Sequence, residues 1–243
     1  SPAKKMKVDA DTLSWQELPC FIDKAQMLYE ALKSMSYEQL KKLWKCNDSI
    51  AAQNVERLQS TDLRTRLTPA ILSYEGIQYQ YMAPGVFTEE QLAYVQMHLR
   101  ILSGLYGVLR PFDGVTPYRL EMQAKLKADF CRSLYEFWGD SLGNVLLQEN
   151  SVLVNLASEE YARAARPAVR GRARFITCVF AEEPEPGVFL EKGVYVKMAR
   201  GEMVRFLAER QEEEPQVMQE FDALGYRYDP VRSDEKTYVF LKP

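Results

Sequence analysis

The sequence predicts an α/β protein of the α+β kind: a mixed β-sheet flanked by helices, in one compact domain over residues 1–243. Three observations carry this. The first third repeats its apolar residues at three- and four-residue spacing, the mark of amphipathic helices. From Pro69 onward, short apolar or alternating runs interleave with helical stretches, without the strict βαβ period of a doubly wound sheet. No internal repeat and no Ser/Gly-rich linker divides the 243 residues.

Taken in order, WQELPCFIDKAQMLYEALKSM places Phe21, Ala25, Leu28, Leu32 and Met35 on one stripe, predicting a helix from Leu18 to Ser34. Ser36 with Gln39 forms a capping box that opens a second helix, carrying Tyr37, Leu40, Leu43 and Trp44 inward and Lys41, Lys42 and Lys45 on the opposite edge. The turn CNDS offers Asn47 or Asp48 as cap of a third helix through Ile50, Val55 and Leu58. AILSY, YRLEM, SVLVNLA, RFITCVF, GVYVKM and TYVFL are strand candidates, rich in β-branched and aromatic residues. TEEQLAYVQMHLRIL, LYEFWGDSLGNVLLQ, EEYARAA and GEMVRFLAERQ are helical between them, the first opened by a Thr88–Gln91 capping box. AEEPEPG and RQEEEP are acidic and read as solvated loops or helix ends.

Composition narrows the function classes. An apolar share of 47% supports a buried core. No run approaches the roughly 18 apolar residues of a membrane span, and no leader opens the sequence, so a cytoplasmic protein without membrane partners is expected. Cys20, Cys46, Cys131 and Cys178 are scattered without a C-x-x-C pair and read as reduced, buried thiols. The one histidine, His98, excludes a His-rich metal site and reads as a partly buried structural residue. No metal and no cofactor is expected: soft ligands are too sparse for direct iron or haem binding, and no phosphate-binding glycine motif occurs.

Charge is informative locally. The net charge is −3, so anion binding has to come from clusters. Lys4, Lys5 and Lys7 form one; Lys41, Lys42 and Lys45 a second; five arginines between Tyr161 and Arg174 a third. Such runs are usually solvated faces, but three in one acidic chain favour a polyanionic partner. In LSGLYGVLRPFDGVTPYRLEM, Gly104, Gly107 and Gly114 punctuate the backbone, and strand alternation in YRLEM sends Arg119 and Glu121 to one face. In GVYVKMARGEM a strand delivers Lys197, with Arg200 and Gly201 at the turn into a helix, where free N–H groups favour an anion. Asn155 and Ser158 lie where an apolar run gives way to a helix. Polar groups at strand ends suggest a shared cleft.

SPAK at Ser1–Lys4, LSGLYGVLRP at Leu102–Pro111, PYRLEM at Pro117–Met122, FWGD at Phe137–Asp140, NLAS at Asn155–Ser158 and KMARG at Lys197–Gly201 together resemble the YaaA family of peroxide stress response proteins. The blocks are short singly and specific in combination, and they run over nearly the whole chain. The resemblance implies a cytoplasmic bacterial protein of oxidative stress and DNA repair, with DNA binding, a positively charged cleft, a helix-hairpin-helix element near the N-terminus and the α/β fold called the cantaloupe fold. Carried onto this chain, the cleft residues are Lys4, Arg110, Arg119, Glu121, Asn155, Ser158, Lys197 and Arg200. The helix-hairpin-helix is placed on Tyr37–Gln59, with Lys41, Lys42, Lys45, Asn47 and Arg57, in preference to the SGLYG hairpin after the His98 helix, where Pro111 would end a second helix after one turn. The family pattern also implies a short apolar strand ahead of Ser1, which leaves Lys4 the least securely placed of the set.

Two functions follow. The first is a stress protein that binds DNA, duplex or repair intermediate, without strong sequence specificity. The second is an enzyme of unnamed reaction on a nucleotide, base or DNA end. It is motivated by Glu121 and Asn155 beside Arg119 and Lys197, with Glu121 as candidate general base and a small-molecule ligand as its counterpart.

Overall fold

The computed structural model describes residues 1–9, 11–148, 150–185 and 187–242. Along the chain run β1 (Lys5–Met6), α1 (Ile22–Lys33), α2 (Tyr37–Trp44), α3 (Asp48–Ser60), β2 (Thr68–Pro69), α4 (Ala70–Ser73), β3 (Tyr74–Glu75) and α5 (Ile77–Met82). Then come α6 (Glu89–His98), β4 (Ile101–Ser103), β5 (Gly107–Leu109), β6 (Gly114–Val115), α7 (Leu134–Trp138) and α8 (Ser141–Leu147). The remainder is β7 (Val152–Asn155), α9 (Glu159–Val169), β8 (Arg174–Glu185), β9 (Val188–Leu190), α10 (Gly193–Arg210), β10 (Asp222–Ala223), β11 (Tyr226–Tyr228) and β12 (Thr237–Lys242). The mixed α/β class is the one the sequence predicts. The residues gather into two compact units, each assembled from segments distant in sequence.

The first unit comprises Ser1–Glu75, Arg100–Val145 and Ser158–Ala168. Its helices form as their caps dictate. Ser36 and Gln39 exchange hydrogen bonds in a capping box at the start of α2, and Asn47 accepts from the Ile50 N–H at the start of α3. Three residues join these helices, with Lys45 in the left-handed region at φ 46°. The unit's strands are short and pair two by two: β1 with β3, β2 with β6, and β4 with β5 in a hairpin.

The second unit comprises Gly76–Leu99, Leu146–Ala157 and Val169–Pro243. Its sheet runs β10-β11-β12-β8-β7, parallel at β12–β8 and β7–β8 and antiparallel elsewhere, with β9 folded back onto β8. Ile176, Phe180, Phe240 and Tyr226 meet Val196, Ala199 and Met203 of α10 in an aromatic-rich core. Gly201 lets α10 lie against α5, since a Cβ there would overlap the Gln78 carbonyl.

Several elements differ from the sequence reading. GVYVKM is the first part of α10, because residues at helical spacing, Val196, Ala199 and Met203, are the ones buried, while Val194 and Tyr195 stay exposed. Arg200 and Gly201 therefore lie inside a helix, and no turn with free N–H groups occurs there. AILSY is mostly the single turn α4, whose N–H groups at Ala70 and Ile71 reach the carbonyls of Asp113 and Pro111. YRLEM keeps its alternation, with Tyr118, Leu120 and Met122 buried, but joins no ladder. AEEPEPG, apart from Pro186, which lies outside the described residues, carries the end of β8 and the turn into β9. His98 is exposed, its ring centroid 4.4 Å from that of Tyr94. Of the thiols, Cys131 and Cys178 are buried as expected, whereas Cys20 is exposed and Cys46 half-buried.

Candidate functional site

The irregular Pro117–Met122 segment is held from several sides within the first unit. Tyr118 donates its N–H to Met6 Sδ at 3.5 Å, and its hydroxyl meets Tyr74 Oη at 2.9 Å and Ser103 Oγ at 2.5 Å. The β4–β5 hairpin backs onto the same segment, because Gly104 has no side chain: a Cβ there would overlap the Leu120 carbonyl oxygen. Anchoring Tyr118 and Leu120 in this way leaves the alternate residues, Arg119 and Glu121, projecting together.

Arg119 Nη2 donates to the Trp44 carbonyl at 3.4 Å, satisfying a carbonyl that the end of α2 leaves unpaired. It also lies 4.0 Å from Glu121 Oε1, and Lys4 Nζ lies 2.7 Å from that same oxygen. The Lys4 contact is an ion pair without hydrogen-bond alignment, so the buried Oε1 has no hydrogen-bond donor. Arg119 is the buried partner, its side chain 11% exposed, and Lys4 the solvated one at 66%. Glu160, in the first turn of α9, accepts the Gln123 N–H at 3.2 Å. Burial, and then the neighbouring Glu121 charge, push its carboxyl above the ordinary range, against the pull of that N–H. Ser158 donates its N–H to Ser1 Oγ at 2.8 Å, tying the first residues to the start of α9.

Three buried polar atoms without hydrogen-bond partners fall in this group: Trp44 Nε1, Arg119 Nε and Glu121 Oε1. Buried polar groups are nearly always paired in folded proteins, and each exception costs about 1–3 kcal/mol. All three belong to residues linked by the Arg119 guanidinium, which reaches the Trp44 carbonyl and lies beside Glu121.

Of the residues expected from sequence, Lys4, Arg119, Glu121 and Ser158 are thus gathered within the first unit. Arg110 belongs to that unit with other partners: its N–H donates to Asp113 Oδ2 at 2.8 Å and its guanidinium lies 3.8 Å from Glu17. Asn155, Lys197 and Arg200 belong to the second unit. Asn155 closes the end of β7, accepting from the Ala157 N–H at 3.0 Å and reaching Thr177 Oγ1 at 3.5 Å. Lys197 is exposed on α10. Arg200 is largely buried, and loss of hydration lowers its pKa from the usual guanidinium value. Trp44 and Glu160 were missed. The first reads as a core aromatic of α2, and the second as a favourable charge at the start of α9.

The basic clusters fare unequally. Lys4, Lys5 and Lys7 each meet a carboxylate, at Glu121, Glu75 and Asp9. Arg166 is bidentate on Glu159, at 2.8 and 2.7 Å. Lys41 pairs with Asp48 at 2.7 Å across the α2–α3 turn. Lys42 and Lys45 are exposed and, among the described residues, face no carboxylate within ion-pair distance. Arg57 is half-buried on α3, its carbonyl accepting from Thr61.

Chemically, the group offers two cations, Lys4 and Arg119, beside one carboxylate. Among the described residues no three His, Cys, Asp or Glu side chains are grouped to hold a metal ion. Burial raises the thiols of Cys20 and Cys131 and pushes Cys178 up to about 12, which disfavours the reactive thiolate at these three. No helix among the described residues is long and apolar enough to cross a membrane.

A mixed α/β protein with a cation-rich polar group beside a short helix–turn–helix defines a class before it defines a family. The family follows from comparison: residues 1–232 match the model described as peroxide stress protein YaaA, and the chain belongs to that family. It is 52% identical over 242 residues to a UPF0246 protein of Desulfitobacterium hafniense, covering 100% of this chain and 96% of that one. It is 51% identical over 240 residues to a UPF0246 protein of Agathobacter rectalis, covering 99% and 96%. A UPF0246 protein of Pediococcus pentosaceus is 49% identical over 242 residues, covering 100% and 96%.

Proposed function

We propose that this protein serves the peroxide stress response in the cytoplasm by binding DNA through the first unit, with α2 and α3 acting as a helix-hairpin-helix. The observation that carries this reading is the state of the lysines at the α2–α3 turn. Lys42 and Lys45 are exposed and, among the described residues, unmatched, where Lys4, Lys5, Lys7 and Lys41 face carboxylates. Two lysines on a tight turn can sit astride a phosphate backbone without reading sequence. Arg119 connects this turn to the polar group by way of the Trp44 carbonyl, so a backbone held at the turn brings its nucleotides towards Glu121.

A gel-shift titration of duplex and single-stranded oligonucleotides at low and moderate salt tests it. Binding that weakens steeply with salt is expected; no binding at low salt, or binding indifferent to salt, contradicts it.

One observation favours a second, enzymatic reading: the buried Glu121 oxygen without a hydrogen-bond donor, flanked by two cations. A carboxylate so placed can take a proton while the cations stabilise developing negative charge. If Glu121→Gln leaves peroxide survival of cells unchanged, that role is lost.

A further inference from the structure

Within the DNA-binding reading, on which this inference rests, we infer that the aromatic group around Phe130 and Phe137 of the first unit binds single-stranded DNA, by stacking of its unpaired bases. The group is built on a buried anchor. Trp138 is 1% exposed, and its indole N–H donates to the Gly104 carbonyl at 3.0 Å. Against that fixed ring lie Phe21 at 5.4 Å and Phe137 at 5.0 Å between centroids, and Phe130 lies 5.5 Å from Phe137. Ala128 and Cys131 exchange backbone hydrogen bonds across a tight turn that carries Phe130, which is 42% exposed; Phe21 and Phe137 are half-buried. Single exposed aromatics are ordinary on a surface, whereas a row of them fixed on a buried ring offers stacking area at little cost in side-chain entropy.

The charges beside the rings choose the occupant. Lys24 Nζ lies 5.4 Å from the Phe137 ring, 5.6 Å from Trp138 and 5.8 Å from Phe21, and donates to Ser141 Oγ at 3.0 Å. Leu126 is buried between the exposed Lys125 and Lys127, the latter within about 11 Å of Phe130 along the chain. Among the described residues none of these three lysines faces a carboxylate within ion-pair distance, while Arg132 and Glu136 pair with each other at 3.3 Å. Asp129 and Asp140 are the carboxylates left over in the same stretch, so cations are in excess. Fixed rings with spare cations suit a single strand: bases stack on aromatic faces whatever their sequence, and lysines meet the phosphates. In a duplex those faces are covered by neighbouring bases, so the strand has to be unpaired where it binds. The second unit supplies the contrast. Phe189 and Tyr195 are exposed there beside cations, but Arg232 and Lys192 are held by Asp229, Glu183 and Glu182. That leaves Lys242 against Glu185 and Glu191, a balance that repels phosphate.

The test is fluorescence anisotropy of the full chain with three labelled oligonucleotides of equal length: a thymidine single strand, an abasic single strand and a duplex. The abasic strand keeps the phosphates and removes the stacking. The thymidine strand is expected to bind at least about tenfold more tightly than either of the others at one salt concentration. Phe130→Ala should weaken its binding about tenfold, while its salt slope, the binding of the other two oligonucleotides and the melting temperature stay close to wild type. Phe130→Leu, which keeps apolar bulk without the ring face, should lose the same preference, and Phe130→Trp should retain it. Lys127→Glu should instead make the plot of log affinity against log salt shallower by about 0.7, the share of one phosphate on a single strand. Equal binding of the thymidine and abasic strands, thymidine binding untouched by Phe130→Ala, or an equal loss on all three oligonucleotides overturns the inference. Salt-dependent binding that is equal for all three leaves the DNA reading standing without it. A ring-dependent preference that survives Lys42→Glu/Lys45→Glu at full affinity upholds it and removes the α2–α3 turn from the reading.

Discussion

Gly104 in the first unit and Gly201 in the second solve one steric problem for different ends. Each sits where a Cβ would strike a backbone carbonyl, that of Leu120 or of Gln78. Gly201 brings two helices together and ends in packing. Gly104 brings a hairpin against an irregular strand-like segment, and what that segment presents is Arg119 and Glu121. The same contrast holds for unpaired buried atoms. The second unit has Arg200 Nε and the hydroxyl of Tyr226, which is 1% exposed in an aromatic core. Arg200 Nε donates and the Tyr226 hydroxyl can donate or accept, and no hydrogen bond among the described residues links the two. In the first unit the unpaired atoms belong to residues in contact, Arg119 with Trp44 and with Glu121.

The most forceful way to break this comparison is to fill the two glycines. Gly104→Ala and Gly201→Ala both force backbone apart and should each cost about 1–3 kcal/mol or more, read from chemical denaturation. They should part company on binding. Gly104→Ala shifts Leu120 and with it the flanking Arg119 and Glu121, so oligonucleotide binding falls with stability. Gly201→Ala, measured where it remains folded, should bind as the wild type does. Equal losses of binding in both would dissolve the distinction.

Asp113 offers a sharper probe of the first unit's stability. Burial pushes its carboxyl up to about 6, against the Arg110 N–H and charge, which pull it down. An unfolded aspartate titrates near 4, so between about pH 4 and 6 the native state holds the extra proton. Stability from this group is therefore greatest below that window and declines as pH rises through it, by up to about 3 kcal/mol. Asp113→Asn should remove the decline while keeping an acceptor for the Arg110 N–H. A slope of the same size in Asp113→Asn would assign it to another group.

The smallest effect concerns the thiols, where the contrast is one of burial. In the native protein iodoacetamide should modify Cys20 and Cys46 ahead of Cys131 and Cys178, as mass spectrometry of peptides can show. Prompt modification of Cys178, whose thiol is pushed up to about 12, would mean that the sheet core opens readily.

Much of the local structure was legible. The capping boxes at Ser36 and Thr88 and the Asn47 cap are short-range chemistry, and the helices they open stand where expected. The alternation of YRLEM gave the direction of Arg119 and Glu121, although no ladder forms. GVYVKM was misread because a β-branched run of four to six residues fits a strand as well as the exposed start of a helix; burial of Val196, Ala199 and Met203 decides, and that depends on distant residues. The grouping around Arg119 was half visible. Arg119 and Glu121 follow from spacing, but the Lys4 contact and the Trp44 carbonyl join residues 117 and 75 positions apart, and nothing local announces such pairs. The charge clusters misled for the same reason: the carboxylates that neutralise Lys4 and Lys5 lie far along the chain.

The central claim, that DNA is held at the α2–α3 turn of the first unit, is tested most directly by the salt dependence of oligonucleotide binding in wild type and Lys42→Glu/Lys45→Glu. The double variant should bind on the order of tenfold or more weakly at low salt. Its plot of log affinity against log salt should be shallower by about two, one for each phosphate that a lysine no longer neutralises. An unchanged slope and affinity would show that these lysines carry no phosphate, and would contradict the account.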